Sequence, residues 1–247
     1  MKKILPFTLC VIFIAAIFCF SGCIVVNFAG SGTVTPAGRQ EIYEFKVGEY
    51  NRIRIEGFFD IRYFSAPSDT VTLEVQPNVR DYHSIEVIDD ELIVRTTRRI
   101  SFRSNNSPIL TISTSGLNRI TFEGAGTFTA YDRITADSLT IIFRGAGSGK
   151  VELDTDSLSA EISGTGRLEL SGRTNTANLD LSGAGELNAL ELQARDANVG
   201  LSGTGTIRAN SSENLRINAS GVGTVEYRGS PSVNINRDGL VSIRQVN

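Results

Sequence analysis

The sequence predicts an all-β chain wound as a parallel β-helix (β-solenoid), and three observations predict it. Six Gly-x-Gly units recur in the second half, at Gly124/Gly126, Gly145/Gly147, Gly164/Gly166, Gly183/Gly185, Gly203/Gly205 and Gly221/Gly223. Their first glycines stand 18 to 21 residues apart, and a period near twenty marks a stacked repeat. On both sides of every unit, apolar and polar residues alternate with the period of two that a half-buried strand requires. A coil of about 20 residues is too short to bury its own apolar face, so each must stack on the next.

The N-terminus reads as a targeting segment over residues 1–22. Lys2 and Lys3 precede an uncharged run from Ile4 to Phe20, and Phe20-Ser21-Gly22-Cys23 resembles the bacterial lipoprotein signal, which ends in the cysteine that takes the lipid. Phe20 departs from the usual aliphatic residue at that place. An uncleaved anchor is the competing reading, because Ile24-Val25-Val26 prolongs the apolar run. Cysteine usage favours lipidation. Of three cysteines, Cys10 and Cys19 lie in the leader, and Cys23 alone remains after cleavage. Nothing downstream can form an intramolecular disulfide or a thiolate metal site.

Residues 23–40 comprise the lipidated Cys23 and a small, polar stretch expected to be a flexible tether. Residues 41–120 form an irregular β region expected to continue into the solenoid. There Ile53, Ile55, Phe59, Ile61 and Tyr63 alternate with charged residues, and further strands centre on Leu73, Val87, Ile93 and Ile112, with a weaker one at Ile100-Ser101-Phe102. Pro67, Pro77 and the acidic turn Asp89-Asp90 punctuate them.

Residues 121–247 form the regular solenoid with a C-terminal cap. Two, four and six places before the glycines stand Phe143/Ile141/Leu139, Ile162/Ala160/Leu158, Leu181/Leu179/Ala177, Leu201/Val199/Ala197 and Ala219/Ile217/Leu215, all apolar. After the corners the pattern restarts with Phe128, Leu168, Leu187, Ile207 and Val225. Ser148-Gly149-Lys150 shifts one coil by two residues and is read as a bulge or wider corner. Glycine is expected at each corner for a sharp turn through positive φ and for close stacking. Ser163, Ser182, Ser202 and Ser220 precede the glycines, where hydroxyls would satisfy corner backbone groups. The last coil places Arg237 where a core residue should stand, as expected of a polar cap.

With I-x-I-x-G-F-F-D-I at Ile53 to Ile61 and tandem apolar-x-apolar-x-S-G-x-G units, the chain resembles the bacterial putative auto-transporter adhesin, head GIN domain family, over about residues 45 to 240. The resemblance implies a right-handed parallel β-helix on a bacterial, often lipid-anchored, surface protein. It supplies no catalytic or ligand residues.

The motifs that carry chemistry elsewhere fail here. Arg144 to Lys150 has glycines and a lysine, but Arg144 and Val151 stand where a phosphate loop needs Gly and Ser/Thr. The Gly-x-Gly units lack the rest of a dinucleotide fingerprint. Ala, Thr or Val fills the places where calcium-binding repeats carry aspartate, leaving Asp132, Asp137, Asp154 and Asp156 as scattered loop acids. An enzyme reading would draw on Asp154, Asp156, Arg173 and Asp180, which no spacing singles out. His83, the single histidine, has no triad or zinc partner in the sequence and reads as a packing or surface residue. Loss of the leader removes two lysines and no acids, so the mildly acidic remainder argues against nucleic acid.

The expectation is therefore a non-catalytic lipoprotein of the bacterial envelope, at the outer membrane or cell surface, held to the membrane by its lipid. It would bind a cell-surface glycan or protein, with no cofactor, no metal and no catalytic residue. The alternatives are a self-associating structural envelope protein forming homo-oligomers and a polysaccharide-degrading β-helix enzyme. Replacing the acceptor thiol, Cys23→Ser, is expected to release the protein from the membrane fraction. Retention of the variant would favour the uncleaved anchor.

Overall fold

A computed structural model describes residues 32–102 and 106–247. The leader and Cys23 lie outside the described residues. No described helix is long and apolar enough to cross a membrane.

The first half runs β1 (Glu41–Lys46), β2 (Arg52–Phe64), β3 (Thr70–Val75), a 3-10 helix (Pro77–Tyr82), β4 (His83–Ile88), β5 (Glu91–Thr96) and β6 (Ile109–Ser113). The repeat supplies β7 (Arg119–Ala130), β8 (Ile134–Phe143), β9 (Ala146–Ile162), β10 (Thr165–Leu181), β11 (Ala184–Leu201), β12 (Thr204–Ala219), β13 (Val222–Arg228), β14 (Ser232–Arg237) and β15 (Leu240–Gln245). From β7 to β15 every pairing is parallel, coil upon coil. The protein is a parallel β-solenoid of about 7 turns with coils of about 19 residues.

The stacking order departs from chain order at one place. β2 pairs in parallel with β7 on one side and with β5 and β6 on the other. The coil made of β5 and β6 therefore lies outside β2, and the chain crosses back to start β7. β4 then pairs antiparallel with β5, while β3 pairs antiparallel with β6 and β1 with β3. These antiparallel strands close one end of the rod. Asp89 and Asp90, both at positive φ (48° and 59°), form the tight turn between β4 and β5. Ile100 makes only an isolated bridge to Val34 instead of the weak strand expected there.

The alternating apolar residues form continuous internal columns, all buried: Leu158, Ala177, Ala197 and Leu215 in one, Ala160, Leu179, Val199 and Ile217 in the next. Aromatic rings concentrate toward the closed end. Phe59, Tyr63, Phe122 and Phe128 are fully buried, and the Phe122 and Phe143 rings meet at 5.2 Å between centroids. Burying such side chains stabilises the fold by about 1.5–3 kcal/mol each, before the entropy of ordering them is subtracted.

The corner glycines form a column that is longer than the sequence repeat. Gly57 underlies Gly124, and the series continues through Gly145, Gly164, Gly183, Gly203 and Gly221 to Gly239. From Gly124 onward, a Cβ on any of them would lie closer than 3.0 Å to the carbonyl oxygen of the glycine one coil below. The second glycines form a parallel column in which Gly147 lies over Gly126, Gly166 over Gly147, Gly185 over Gly166, Gly205 over Gly185 and Gly223 over Gly205. There too a Cβ would meet the carbonyl oxygen below.

That crowding is the reason for glycine at both places of the unit. The expected turn through positive φ is not general. Gly124, Gly145, Gly164, Gly183, Gly203 and Gly221 do not adopt it. Among the second glycines, Gly126, Gly205 and Gly223 do, whereas Gly147, Gly166 and Gly185 do not. For Gly166 and Gly185 the expectation of a left-handed corner is therefore corrected. Both lie inside the parallel ladder, paired with each other in register, and each is glycine because the backbone beneath leaves no room for a side chain.

Four further expectations are corrected. The corner at Gly147 has no bulge: β9 and β10 stay in register from Ala146↔Thr165 to Thr155↔Thr174. Gly149 is itself buried in the core column, where the Phe143 ring and Leu168 occupy the space a Cβ would need. The two extra residues belong to the preceding coil and fall at its second bend, where Thr129↔Lys150 is followed by Ile134↔Leu153. Secondly, the hydroxyl ladder lies elsewhere than at Ser163, Ser182, Ser202 and Ser220, whose corners are held by backbone bonds such as Ser182 N–H to Ile162 O at 3.0 Å. Buried hydroxyls instead serve the second bend: Thr155 donates to Thr174 (3.1 Å), and Ser211 serves the carbonyls of Arg195 (2.9 Å) and Asn214 (2.8 Å).

Thirdly, part of the expected tether is bound to the fold. Val34 N–H donates to Arg99 O, Ala37 N–H to Asn78 Oδ1, and Gln40 Nε2 to Ser107 O. Finally, the last coil is not a polar cap, because Ile235 is 50 % exposed and Leu240 80 % exposed. Arg237 lies at the expected place and donates to Val241 O, but it covers only part of that end.

Gly183→Ala is expected to lower stability by about 1–3 kcal/mol or more, the scale of forced overpacking against backbone. Gly48→Ala, where nothing lies within 4 Å, should stay within about 0.5 kcal/mol of the parent. Chemical denaturation of both variants checks this.

Candidate binding face

Outward positions of a solenoid stack as regularly as inward ones, and one outward face forms a groove of about 570 Å³. Three residues before the corner glycines, the register aligns Glu161, Asp180, Gly200, Asn218 and Asn236. One residue before the glycines, Ser182, Ser202, Ser220 and Asp238 border the same groove. Neighbouring members of a row are about 4.8 Å apart, the spacing of parallel strands. The result is a ladder of carboxylates, amides and hydroxyls crossing four coil boundaries.

Gly200 is the notch in that ladder. The Asp180 carboxylate leans into the space a Cβ on Gly200 would fill. Partial burial there, and then the neighbouring Glu161 carboxylate, push the Asp180 pKa up from the ordinary carboxylate value. Two hollows of about 780 and 840 Å³ lie over the loops around Asn51, Asp90 and Gly116, where no side-chain row repeats.

A second ladder neighbours the corner on the next strand. Arg167 and Arg208 both bind Glu186, and Arg208 and Arg244 both bind Glu226. Hydrogen bonds from Arg244 and Arg208 hold the Glu226 carboxyl below its usual range. Burial raises the Glu186 pKa, but Arg167 and Arg208 outweigh it. Each pair joins adjacent coils, so the ladder fixes register rather than presenting free charge. Gly166 and Gly185 immediately precede Arg167 and Glu186. Their close stacking sets the two charged side chains on adjoining coils at the same register position.

The acids considered for catalysis separate. Asp154 accepts two hydrogen bonds from Arg173, at 2.9 and 2.6 Å, which lower its pKa. Asp156 accepts from Asn175 at 2.9 Å. Asp180 stands on the groove, apart from both. Asp132 accepts from Ser65 N–H, and among the described residues no three His, Cys, Asp or Glu side chains converge as a metal site would. Asn198 donates to Asn178 at 2.9 Å, but Asn218 aligns with Gly200, so no asparagine ladder continues. In the segment resembling a phosphate loop, Gly145 and Gly147 are stacking corners and Gly149 is core.

His83 is a packing residue. Its ring meets Phe59 edge-on at 5.3 Å and lies 6.2 Å from Phe102. Burial lowers its pKa from 6.5 to about 4.

A family model described as "Putative auto-transporter adhesin, head GIN domain" matches residues 49–231. The chain belongs to that family. Solved structures share the fold of this head GIN domain protein. A putative adhesin from Bacteroides fragilis is 24% identical with a TM-score of 0.80, covering 86% of this chain and 100% of that one. A putative adhesin from Parabacteroides merdae is 20% identical with a TM-score of 0.67, covering 87% and 99%. A putative lipid binding protein from Parabacteroides distasonis is 22% identical with a TM-score of 0.61, covering 87% and 100%. No curated protein matches the chain. Asp180 and the serines beside the glycines stand out in the sequence, whereas Glu161, Gly200, Asn218 and Asn236 are aligned only by counting back from each glycine.

The buried histidine makes the head GIN domain acid-sensitive. Between pH 6.5 and about 4 the unfolded chain binds a proton at His83 that the folded chain excludes, so stability falls as pH drops through that window. At pH 5 the loss is about 2 kcal/mol relative to pH 7. His83→Phe is expected to remove that part of the pH dependence, measured by urea denaturation at the two pH values.

Proposed function

We propose that this protein is a non-catalytic, lipid-anchored adhesin of the bacterial envelope that holds a polar surface polymer, most simply a glycan, along the groove of Asp180, Asn218 and Asn236. Family membership supports adhesion and an envelope location. The lipoprotein-like sequence ending in Cys23 supports the anchor. The observation that carries the binding reading is the repetition of amide, carboxylate and hydroxyl rows on successive coils. One row changes from carboxylate through Gly200 to amide, while Ser182, Ser202 and Ser220 offer a hydroxyl on three successive coils. A polymer with a short repeat therefore meets a hydroxyl at each of those steps, and each contact adds a modest increment of affinity.

Of the acids singled out in the sequence, Asp154 and Asp156 have surroundings that give catalysis little support. Arg173 neutralises Asp154, and Asp156 is bonded to Asn175. One observation favours the hydrolytic alternative: Glu161 and Asp180 are neighbouring carboxylates, with the Asp180 pKa raised.

The test is a glycan and protein array probed with the full chain in detergent. Asp180→Asn and Asn218→Ala are each expected to weaken binding by about tenfold, the scale of losing one charge-assisted or buried hydrogen bond. Unchanged binding by both variants would remove the groove from the proposal. Release of reducing sugar from a bound glycan would replace adhesion with hydrolysis.

A further inference from the structure

The two ends of the rod are finished differently. At the closed end, β4 covers β5 and β3 with β1 covers β6, all antiparallel. At the other end, among the described residues, β14 is bonded to β12 and β15 to β13, and neither has a strand on its outer side. Those outer edges carry backbone N–H and C=O groups with no strand partner, although Val241 O accepts from Arg237. Beside those edges Ile235 and Val222 are each 50 % exposed and Leu240 80 %.

Exposed edges are ordinarily blunted by lysine, proline, inward charge or a covering element. Neither β14 (Ser-Val-Asn-Ile-Asn-Arg) nor β15 (Leu-Val-Ser-Ile-Arg-Gln) contains lysine, proline or an acid. Their two arginines are occupied, Arg237 on Val241 O and Arg244 on Glu226. We infer that this open end pairs with the open end of a second copy, so that the protein adheres to itself between two envelopes.

Edge complementarity selects the occupant. Head-to-tail stacking would set β14 and β15 against the outer edges of β1 and β4, which carry Glu41, Glu44, Lys46 and Glu86, charges that blunt an edge against pairing. A two-fold axis meets the requirement, because it sets an edge strand antiparallel to its own copy and closes the assembly at two chains. For β15 paired about Ile243, Arg244 faces Ser242 and Val241 faces Gln245. For β14 paired about Ile235, Val233 faces Arg237. No like charges meet in either register.

The direction of the rod gives the pairing its consequence. The N-terminal segment enters at the closed end, where Val34 and Gln40 are bound. Seven coil steps separate Gly57 from Gly239 by roughly 34 Å at about 4.8 Å per step, and the strands outside β2 set the closed end farther away still. Tip-to-tip partners thus send their N-termini in opposite directions and bridge apposed membranes instead of joining neighbours in one. This inference rests on the lipid-anchored adhesin reading above.

The experiment uses phospholipid vesicles carrying the full chain, with flotation reporting anchorage and turbidity reporting clustering. Wild-type vesicles are expected to cluster, and the same chain in detergent to sediment as a dimer. Ile235→Lys and Leu240→Glu alter exposed side chains, and unchanged circular dichroism will establish that they fold. Each is expected to abolish clustering and leave a monomer, with array binding by the groove retained. A monomeric wild type, clustering that survives both substitutions, or filaments longer than two chains would overturn the inference. Loss of flotation would count against the anchor alone, since the detergent dimer does not depend on it.

Discussion

Parallel stacking of backbone on backbone at the corner is the constraint on which the rest of the structure depends. Each coil must come back over the previous one at strand spacing while turning sharply, and carbonyl oxygens fill the place where side chains would begin. Glycine therefore recurs because the site has no volume, whatever its φ. Gly166 and Gly185, which keep to ordinary strand conformation, make the point as clearly as Gly205, which does not. Once the corners coincide, residues at a fixed offset from the glycine coincide as well along the flanking strands, until the register shifts at the second bend of β10, β11 and β12. The apolar columns, the Thr155–Thr174 hydroxyl pair and the Glu226 ion pairs are consequences of that single alignment.

The regular half is legible because its signal is local and repeated. Alternation marks the strands and the glycine interval marks the coil. Three features exceed that signal. Gly57 lies 67 residues before its partner Gly124, so its place in the column is invisible to any search for a twenty-residue period. Gly149 breaks the apolar pattern and so suggests a shift in its own coil, yet the extra residues lie one coil earlier and a glycine can occupy a core position when Phe143 fills the space. The serines beside the corner glycines suggest a hydroxyl ladder there, but backbone bonds already satisfy the chain at those places.

The groove is partly legible for a different reason. Asp180 attracts notice as an acid, but Gly200, Asn218 and Asn236 are ordinary residues that acquire meaning only in register. Counting three places back from each glycine recovers them. The division between inert and available charge follows from the fold: Arg167, Arg208 and Arg244 are engaged in clamping coils, whereas the Asp180 and Glu161 carboxylates face the groove.

The return of the chain from β6 to β7 also bears on where the cost of folding falls. Later coils need only the coil before them, a separation near 19 residues, and can zip forward one at a time. The β2–β7 junction, in contrast, joins residues 67 apart in the chain, as in the Thr127 to Asp60 hydrogen bond, and β2 holds β5 and β6 across long separations too, Arg52↔Glu91 and Asp60↔Ile109. Once β6 is docked on β2, only the short connection from Ser113 to Arg119 has to turn for β7 to stack on the other side. The non-local cost of folding is therefore gathered in the closed end and its seam with β7, although the finished solenoid looks uniform along its length.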